Sequence, residues 1–555
     1  MNAERRTQNV ERRKTHAFKL CVLRSAFCVL LCWPSYASDA TATHAALATA
    51  HPIATKVGLA VLQKGGNAID AAVAVAFALA VVHPQAGNLG GGGFLTYYDK
   101  STNAVWTLDF TEVAPLAATR DMFAKNANGA RSGASAGGVP GTVAGLEEMH
   151  RKFGSRPWRE LVAPAASLAH YGFVADTELV TDAATAKVKI DGLAAGSTLK
   201  QPELAAALQR IADSGAKEFY EGGIAKKLVE GVRFGGGYIG FRDLREYKPV
   251  WRAPLKLHYG VYDIYTVAPP SGGGLVIGEA LNILAGDDLR AAGFQSVRAL
   301  HLIVEAEQRA YVDRNKYLAD PFSARIPYRD LLSRKRGEAW RKTIDAARAT
   351  ATAVLTEPAV ATAEGEHTTH FTIADSSGNI AAVTTSLSEN FGSGYLVPGL
   401  GFFLNNAMDD FTIASGTANR DGLQQSNANS IEPAKRRASS LSPTIVLRDG
   451  TPYLAIGTRG GPTIPTTILQ VFLNLVVYGK SLPDAVAAPR FHHQGSPDDI
   501  TYETAAPKKT IEALNAMGHG VAARDAIGDV QAILFDKGKM IAVSDPRRGG
   551  AAGGY

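Results

Sequence analysis

Cysteine is almost missing from this 555-residue chain. There are three, Cys21, Cys28 and Cys32, and all fall in the first 37 residues. If that segment is removed, the protein has no disulfide, no thiolate metal site and no cysteine nucleophile. Net charge is also scarce once the N-terminus is set apart. The formal charge is +6, but residues 1–37 carry seven Lys/Arg against two Asp/Glu, which leaves the remainder near +1. So balanced a body argues against nucleic-acid binding through a basic surface. No apolar stretch reads as a membrane span, no internal repeat is visible, and nothing inside the chain looks like a linker. Hydrophobic residues make up 46% and charged residues 20%, so large cores can be buried. Whatever chemistry occurs is left to hydroxyls, amines, carboxylates or imidazoles.

The first residues read as an export signal. Arg5, Arg6, Arg12, Arg13, Lys14 and Lys19 form a basic region, an apolar run follows over 25–33, and Ser35-Tyr36-Ala37 is a small-residue cleavage site. The run is too short to cross a bilayer. The expectation is a signal peptide over 1–37 and a periplasmic or extracellular protein.

Along the body, periodicity predicts a helix, a Gly65-Gly66-Asn67 break and a second, small-residue helix over 68–82. Paired strands follow over 94–98 and 105–110. Helices are expected over 143–153, 203–214, 224–231 and 297–314, with strands over 255–258 and 261–267. The last third is strand-rich, with helices over 464–478, 482–488 and 510–517. Strands and helices in both halves imply two sheets packed face to face with helices outside.

Several apparent motifs lack the context their chemistry needs. Gly133 to Gly137 has the nucleophile-elbow spacing around Ser135, but polar loop rather than an apolar strand precedes it. Gly90 to Gly93 has no following Lys-Ser/Thr, so it reads as a close-packing turn rather than a phosphate cradle. His492 and His493 near Asp498 and Asp499 match no standard ligand spacing, and His301 and Glu305 read as ordinary neighbours on a helix. No metal or cofactor is expected.

A different set coheres. Thr368 follows an Ala-, Thr- and Glu-rich stretch ending at His367 and opens a strand; Ser376 to Asn379 turn the chain, and 380–386 is a second strand. Cut before Thr368, one residue would carry both a hydroxyl nucleophile and an α-amine able to act as its base. Further on, Asn405 to Phe411 place Asp409 and Asp410 after an apolar strand over 401–404. Ser439 and Ser440 stand at the entrance to another strand. Gly460-Gly461 precede a helix start, where bare N–H groups suit an oxyanion hole.

Taken with His83 to Phe94, Pro140 to Gly145, Pro269 to Gly273, Pro489 to His493 and Gly554-Tyr555, these segments make the chain resemble the γ-glutamyltranspeptidase (glutathione hydrolase) proenzymes of the N-terminal-nucleophile hydrolase superfamily, from about Ala46 to Tyr555. The resemblance implies an α+β fold, a four-layer αββα sandwich, made as one chain and cut between His367 and Thr368. The large subunit would be 38–367 and the small subunit 368–555, the two forming one sandwich. It further implies Thr368 as nucleophile, Ser386 as its supporting hydroxyl where the family usually has threonine, and Gly460 and Gly461 at the oxyanion. Asp410 would face the substrate amine, and Ser439 and Ser440 its carboxylate. The partners implied are a small-molecule γ-glutamyl compound or related amide, and water or an amino acid or peptide as acceptor.

The chain departs from that pattern in its recognition residues. Thr111 stands where the family reads the α-carboxylate with an arginine, Ser388 replaces an asparagine, Ala407 a Gln or Glu, and Asp421 the lid aromatic of some members. Arg459 is a candidate replacement guanidinium. Three functions are therefore expected in order: a self-cleaving γ-glutamyl hydrolase/transferase, an amidohydrolase of the same fold with another acyl group, and a processed binding protein without catalysis.

Overall fold

The computed structural model describes residues 38–355, 368–414 and 416–555. The export segment, its cysteines and His367 lie outside these.

Two seven-stranded sheets form the middle of the protein. One runs from Ala551–Gly554 through Ala46–Thr49, Thr368–Ala374, Ile380–Ser386, Gly92–Asp99 and Ala104–Asp109 to Val250–Arg252. The other runs from Asp39–Ala42 through Lys539–Ser544, Gln531–Asp536, Thr451–Gly457, Thr444–Arg448 and Tyr262–Thr266 to Leu255–Tyr259. Every neighbouring pair in both is antiparallel. Each sheet contains strands from both before and after Thr368, so neither segment supplies a whole sheet.

The sheets face each other across a thin core rich in alanine. Ala46, Ala48, Ala374 and Ala382 on one side meet Ile445, Ala455, Ile533 and Ala542 on the other. Alternate residues supply this face, as the two-residue period of a strand requires. Helices cover both outer faces, which completes an αββα sandwich. Ala68–Val82 packs on Pro52–Gln63 and on the strands of the first sheet. Its residues are all buried, and Asn67 and Asp70 close its N-terminus with a reciprocal capping box. Gly273–Leu284 and Thr463–Val476 pack on the second sheet, with Val297–Tyr317 against the former. Among the described residues no helix is long and apolar enough to cross a membrane.

Most expected elements form, with ends moved by one to three residues. One does not: 401–404 is no strand and makes only isolated bridges, Leu396 to Phe403 and Gly90 to Leu404. Gly401 sits at φ +69° with Leu204 and Glu203 pressed against it. The apolar side chains after it fill a loop instead of a ladder. The glycine run does pack closely. A Cβ on Gly90 would lie 2.1 Å from the Phe403 carbonyl oxygen, and one on Gly91 2.2 Å from that of Ser386. Only a bare backbone allows these approaches.

Candidate active site

Thr368 opens one strand and Ser386 closes the next, and the hairpin register places them opposite each other. The Thr368 hydroxyl lies 3.4 Å from Ser386 Oγ, and both residues are buried at the wall of a cleft. Among the described residues no imidazole or carboxylate bonds the Thr368 hydroxyl. His370, two residues on, is held by the hydroxyls of Thr384 at 2.8 Å and Thr372 at 2.9 Å. Burial pushes its pKa down to about 3, so it is a neutral structural imidazole tied into the sheet interface.

The cleft encloses about 370 Å³, counting space open to solvent. Gly461, Ser388, Asp410, Ser439 and Ser440 line it with Thr368 and Ser386. Gly460 and Gly461 adopt φ +130° and +54°, and their carbonyls accept the first N–H groups of Thr463–Val476. The turn is anchored from below, where the Tyr311 hydroxyl donates to the Pro462 carbonyl. Gly461 and Ile464 thus bring a side-chain-free turn and the helix start to the same cleft as the threonine, with Gly460 adjacent in the chain but not lining it.

The paired aspartates separate. Asp409 turns to Arg131, 3.0 Å away, whereas Asp410 turns into the cleft. The Asp410 carbonyl accepts from Gln425 Nε2 at 2.9 Å and Asn429 Nδ2 at 2.7 Å, which fixes its backbone. Its carboxylate accepts the Ser388 hydroxyl at 2.6 Å. Burial raises the Asp410 pKa, and the Arg437 charge and the Ser388 bond oppose that rise. Ser439 and Ser440 are braced by the Pro269 to Gly273 segment. The Ser439 carbonyl accepts from Gly272 N at 2.7 Å, and its N–H donates to Pro270 at 2.9 Å.

Ser388 holds φ +78°, a left-handed conformation rare outside glycine and asparagine. Its N–H also donates to Ser386 Oγ at 2.9 Å. Replacing it by Val puts a β-branched side chain in that conformation and removes the bond to Asp410. A loss of about 1–3 kcal/mol is expected in thermal or urea denaturation, while Ser388→Asn is expected to fall within about 1 kcal/mol of wild type.

Two candidate recognition residues are not brought to the cleft. Thr111 is fully buried, its hydroxyl donating to Asp109 Oδ1 at 2.7 Å. Its short side chain is used up there, so it does not line the cleft. Arg459 is buried too, and its guanidinium turns to Glu178, 3.2 Å away. The position before the diglycine therefore supplies no replacement cation. Ala407 packs in the buried turn behind Asp410, and Asp421 lines the cleft. Two arginines that sequence reasoning passed over do reach it, Arg314 and Arg437. Arg437 sits two residues before Ser439, and that spacing was its one available signal.

The excluded motifs stay outside. Ser135 lies in a short 3-10 turn and donates to Gly129. His492 is held by Thr466 and Gln494. His301, Glu305 and His519 do cluster within metal-ligand distance. They are already engaged: the two rings bond each other at 2.8 Å, and Glu305 holds Arg309 and the Thr350 N–H.

The family model of gamma-glutamyltranspeptidase matches residues 54–555. The chain is 40% identical to the glutathione hydrolase proenzyme of Escherichia coli strain K12 over 522 residues, covering 90% of each. It is 41% identical to that of Pseudomonas aeruginosa, covering 92% of this chain and 95% of the relative. Among solved structures, the cephalosporin acylase of Bacillus halodurans is similar with a TM-score of 0.81 and 27% identity, over 94% of this chain and 98% of that one. The gamma-glutamyltranspeptidase of Pseudomonas nitroreducens, complexed with L-DON, gives 0.51 and 37%, over 54% of this chain and 93% of that one.

Proposed function

Since this chain belongs to the gamma-glutamyltranspeptidase family, whose members are N-terminal-nucleophile enzymes, we propose that it is an exported, self-cleaving hydrolase/transferase that opens γ-glutamyl-type amides through a threonyl ester. The observation that carries the reading is the Thr368 hydroxyl at the cleft wall, opposite Ser386 and with no side-chain base bonded to it among the described residues. A hydroxyl so placed needs a proton acceptor, and an α-amine freed at Thr368 supplies one.

In the first reaction Thr368 Oγ attacks the carbonyl of His367. The peptide becomes an ester and water hydrolyses it, leaving 38–367 and 368–555 as two chains. In the second, Oγ attacks the substrate amide carbonyl and its proton passes to the α-amine. The Gly460-Gly461 turn faces the resulting oxyanion, and the amine returns the proton to the leaving nitrogen. Water or an acceptor amine then takes the acyl group from Thr368. Ser386 holds the hydroxyl in place, and Asp410, Ser388, Ser439 and Ser440 hold the acyl tail.

Denaturing electrophoresis and intact-mass measurement test this. Two chains are expected, the smaller beginning at Thr368, and the larger at a residue near Ser38 if the export segment has been removed. A single uncut active polypeptide overturns the reading. The pH profile gives a second check. An α-amine has a reference pKa of about 7.7–8.0 and acts as a base only when neutral. The quotient kcat/KM on an acyl anilide is therefore expected to rise about tenfold per pH unit below that value and level off above it.

A second reading, an acylase for a different acyl group, has its own support. Thr111 is buried away from the cleft, and the likeness to a cephalosporin acylase extends over 94% of the chain.

A further inference from the structure

Four charged side chains face the cleft: Arg314, Arg437, Asp410 and Asp421. Arg314 is committed, its Nη1 donating to Gln425 Oε1 at 3.0 Å and Asn315 Oδ1 at 2.9 Å. Arg437 is in a different state. Its Nε lies 2.9 Å from Asp410 Oδ2 and its Nη2 3.3 Å from Glu112 Oε2. These are ion-pair distances, yet Nε is buried without an aligned hydrogen bond among the described residues. The Glu112 carboxylate oxygens are equally without one. Charge brings this group together, but its hydrogen-bonding capacity is not used up. Arg437 lines the cleft together with Ser439 and Ser440, and a guanidinium beside two hydroxyls suits a carboxylate.

The same placement alters Asp410. One of its oxygens already takes the Ser388 hydroxyl and lies against Arg437 Nε. A ligand ammonium arriving there meets a carboxylate whose charge is largely neutralised, with a cation close behind it. The attraction that would select an α-amine is correspondingly weakened. Thr111, next to Glu112 in sequence, contributes nothing to the cleft, so the guanidinium reaches Glu112 from the opposite segment.

We propose that Arg437 is the specificity-determining residue of this site: it takes the distal carboxylate of the acyl donor and, by neutralising Asp410, lowers the demand for an α-amine. The preferred donors are then monoamides of dicarboxylic acids of glutaryl length, with or without an amino group. This rests on the threonyl-ester reading above. Chemically each turnover is the same: the amide C–N bond breaks, an ester to Thr368 forms, and water converts that ester to the free diacid.

The test compares four p-nitroanilides with one leaving group: γ-glutamyl, glutaryl (carboxylate only), 4-aminobutyryl (amine only) and butyryl (neither). Wild type is expected to cleave the glutaryl compound within about tenfold of the γ-glutamyl one, or faster, and the 4-aminobutyryl compound at least about a hundredfold more slowly. Arg437→Gln is expected to lower kcat/KM on both carboxylate substrates roughly ten- to a hundredfold, mainly through KM, and to leave the butyryl compound within about threefold. Arg437→Lys is expected to recover part of the loss. Because Arg437→Gln leaves buried Glu112 unpaired, Arg437→Gln with Glu112→Gln is made in parallel, and appearance of both chains on a denaturing gel certifies folding. Equal losses on all four substrates overturn the proposal, as does a wild-type preference above a hundredfold for γ-glutamyl over glutaryl. Absence of cleavage before Thr368 and of all four activities in wild type overturns the threonyl-ester reading instead.

Discussion

Thr368→Ala is expected to run as one full-length band and to lose activity on any acyl anilide by at least about 10⁴-fold, the scale seen when a nucleophile is removed from a covalent mechanism. The substitution is structurally mild. Thr368 is the first residue of a strand, and its hydroxyl makes a single long contact to Ser386 among the described residues. Ala keeps the backbone pairing with Ser386, so lost cleavage cannot be ascribed to unfolding if the melting temperature stays within a few degrees. Thr368→Ser keeps the hydroxyl but loses the methyl that restricts χ1. It is expected to cleave itself slowly and retain partial turnover. Full processing of the Thr368→Ala protein, seen as two bands of unchanged mass, would refute the mechanism at its root.

The largest stability effect is expected away from the nucleophile. Arg490 is fully buried, donating to the Ile527 carbonyl at 2.6 Å, the Val486 carbonyl at 2.7 Å and Asp545 Oδ2 at 2.6 Å. Asp545 also accepts the Val530 N–H, and Arg547 lies 3.1 Å from its other oxygen. The two arginine charges hold the Asp545 carboxyl below its ordinary range against a strong burial effect. Arg490→Leu strips one cation from a buried carboxylate, the donor from the Ile527 carbonyl, and one of two donors from the Val486 carbonyl, which keeps Arg547. A loss on the order of 3–5 kcal/mol is expected, read as a lower urea midpoint at unchanged slope. Arg490→Leu with Asp545→Asn is expected to recover part of it, because no buried charge then stands short of its partner. A single variant within about 1 kcal/mol of wild type would show that this network carries little of the stability.

The elements of the sandwich were legible where one physical signal dominated. The 68–82 helix reads from its small apolar residues between Asn67 and His83, and the Thr368 hairpin reads from strand alternation around Ser376 to Asn379. The run over 401–404 has the same apolar character but forms no strand: it closes a tight loop in which Gly401, at positive φ, donates to the Val397 carbonyl, the Phe402 carbonyl accepts from Val397, and Leu404 donates to the Tyr395 carbonyl. Glu203 and Leu204 pack closely on Gly401 from a distant segment, on which local pattern carries no information. Recognition residues divided in the same manner. Asp410, Ser439 and Ser440 reach the cleft, while Thr111 and Arg459 are drawn off by Asp109 and Glu178.

Sequence alone determined the secondary-structure alternation, the two-sheet class, the family resemblance and the threonine at the head of a strand, because periodicity, turn chemistry and spacing are local properties. Tertiary structure alone decided which cations line the cleft. Arg314, Arg437 and Arg459 are alike as letters, but a guanidinium goes where buried carboxylates and hydrogen-bond acceptors converge. That convergence, of Glu112 with Asp410 around Arg437 and of Glu178 beside Arg459, exists only after segments far apart in the chain have packed together.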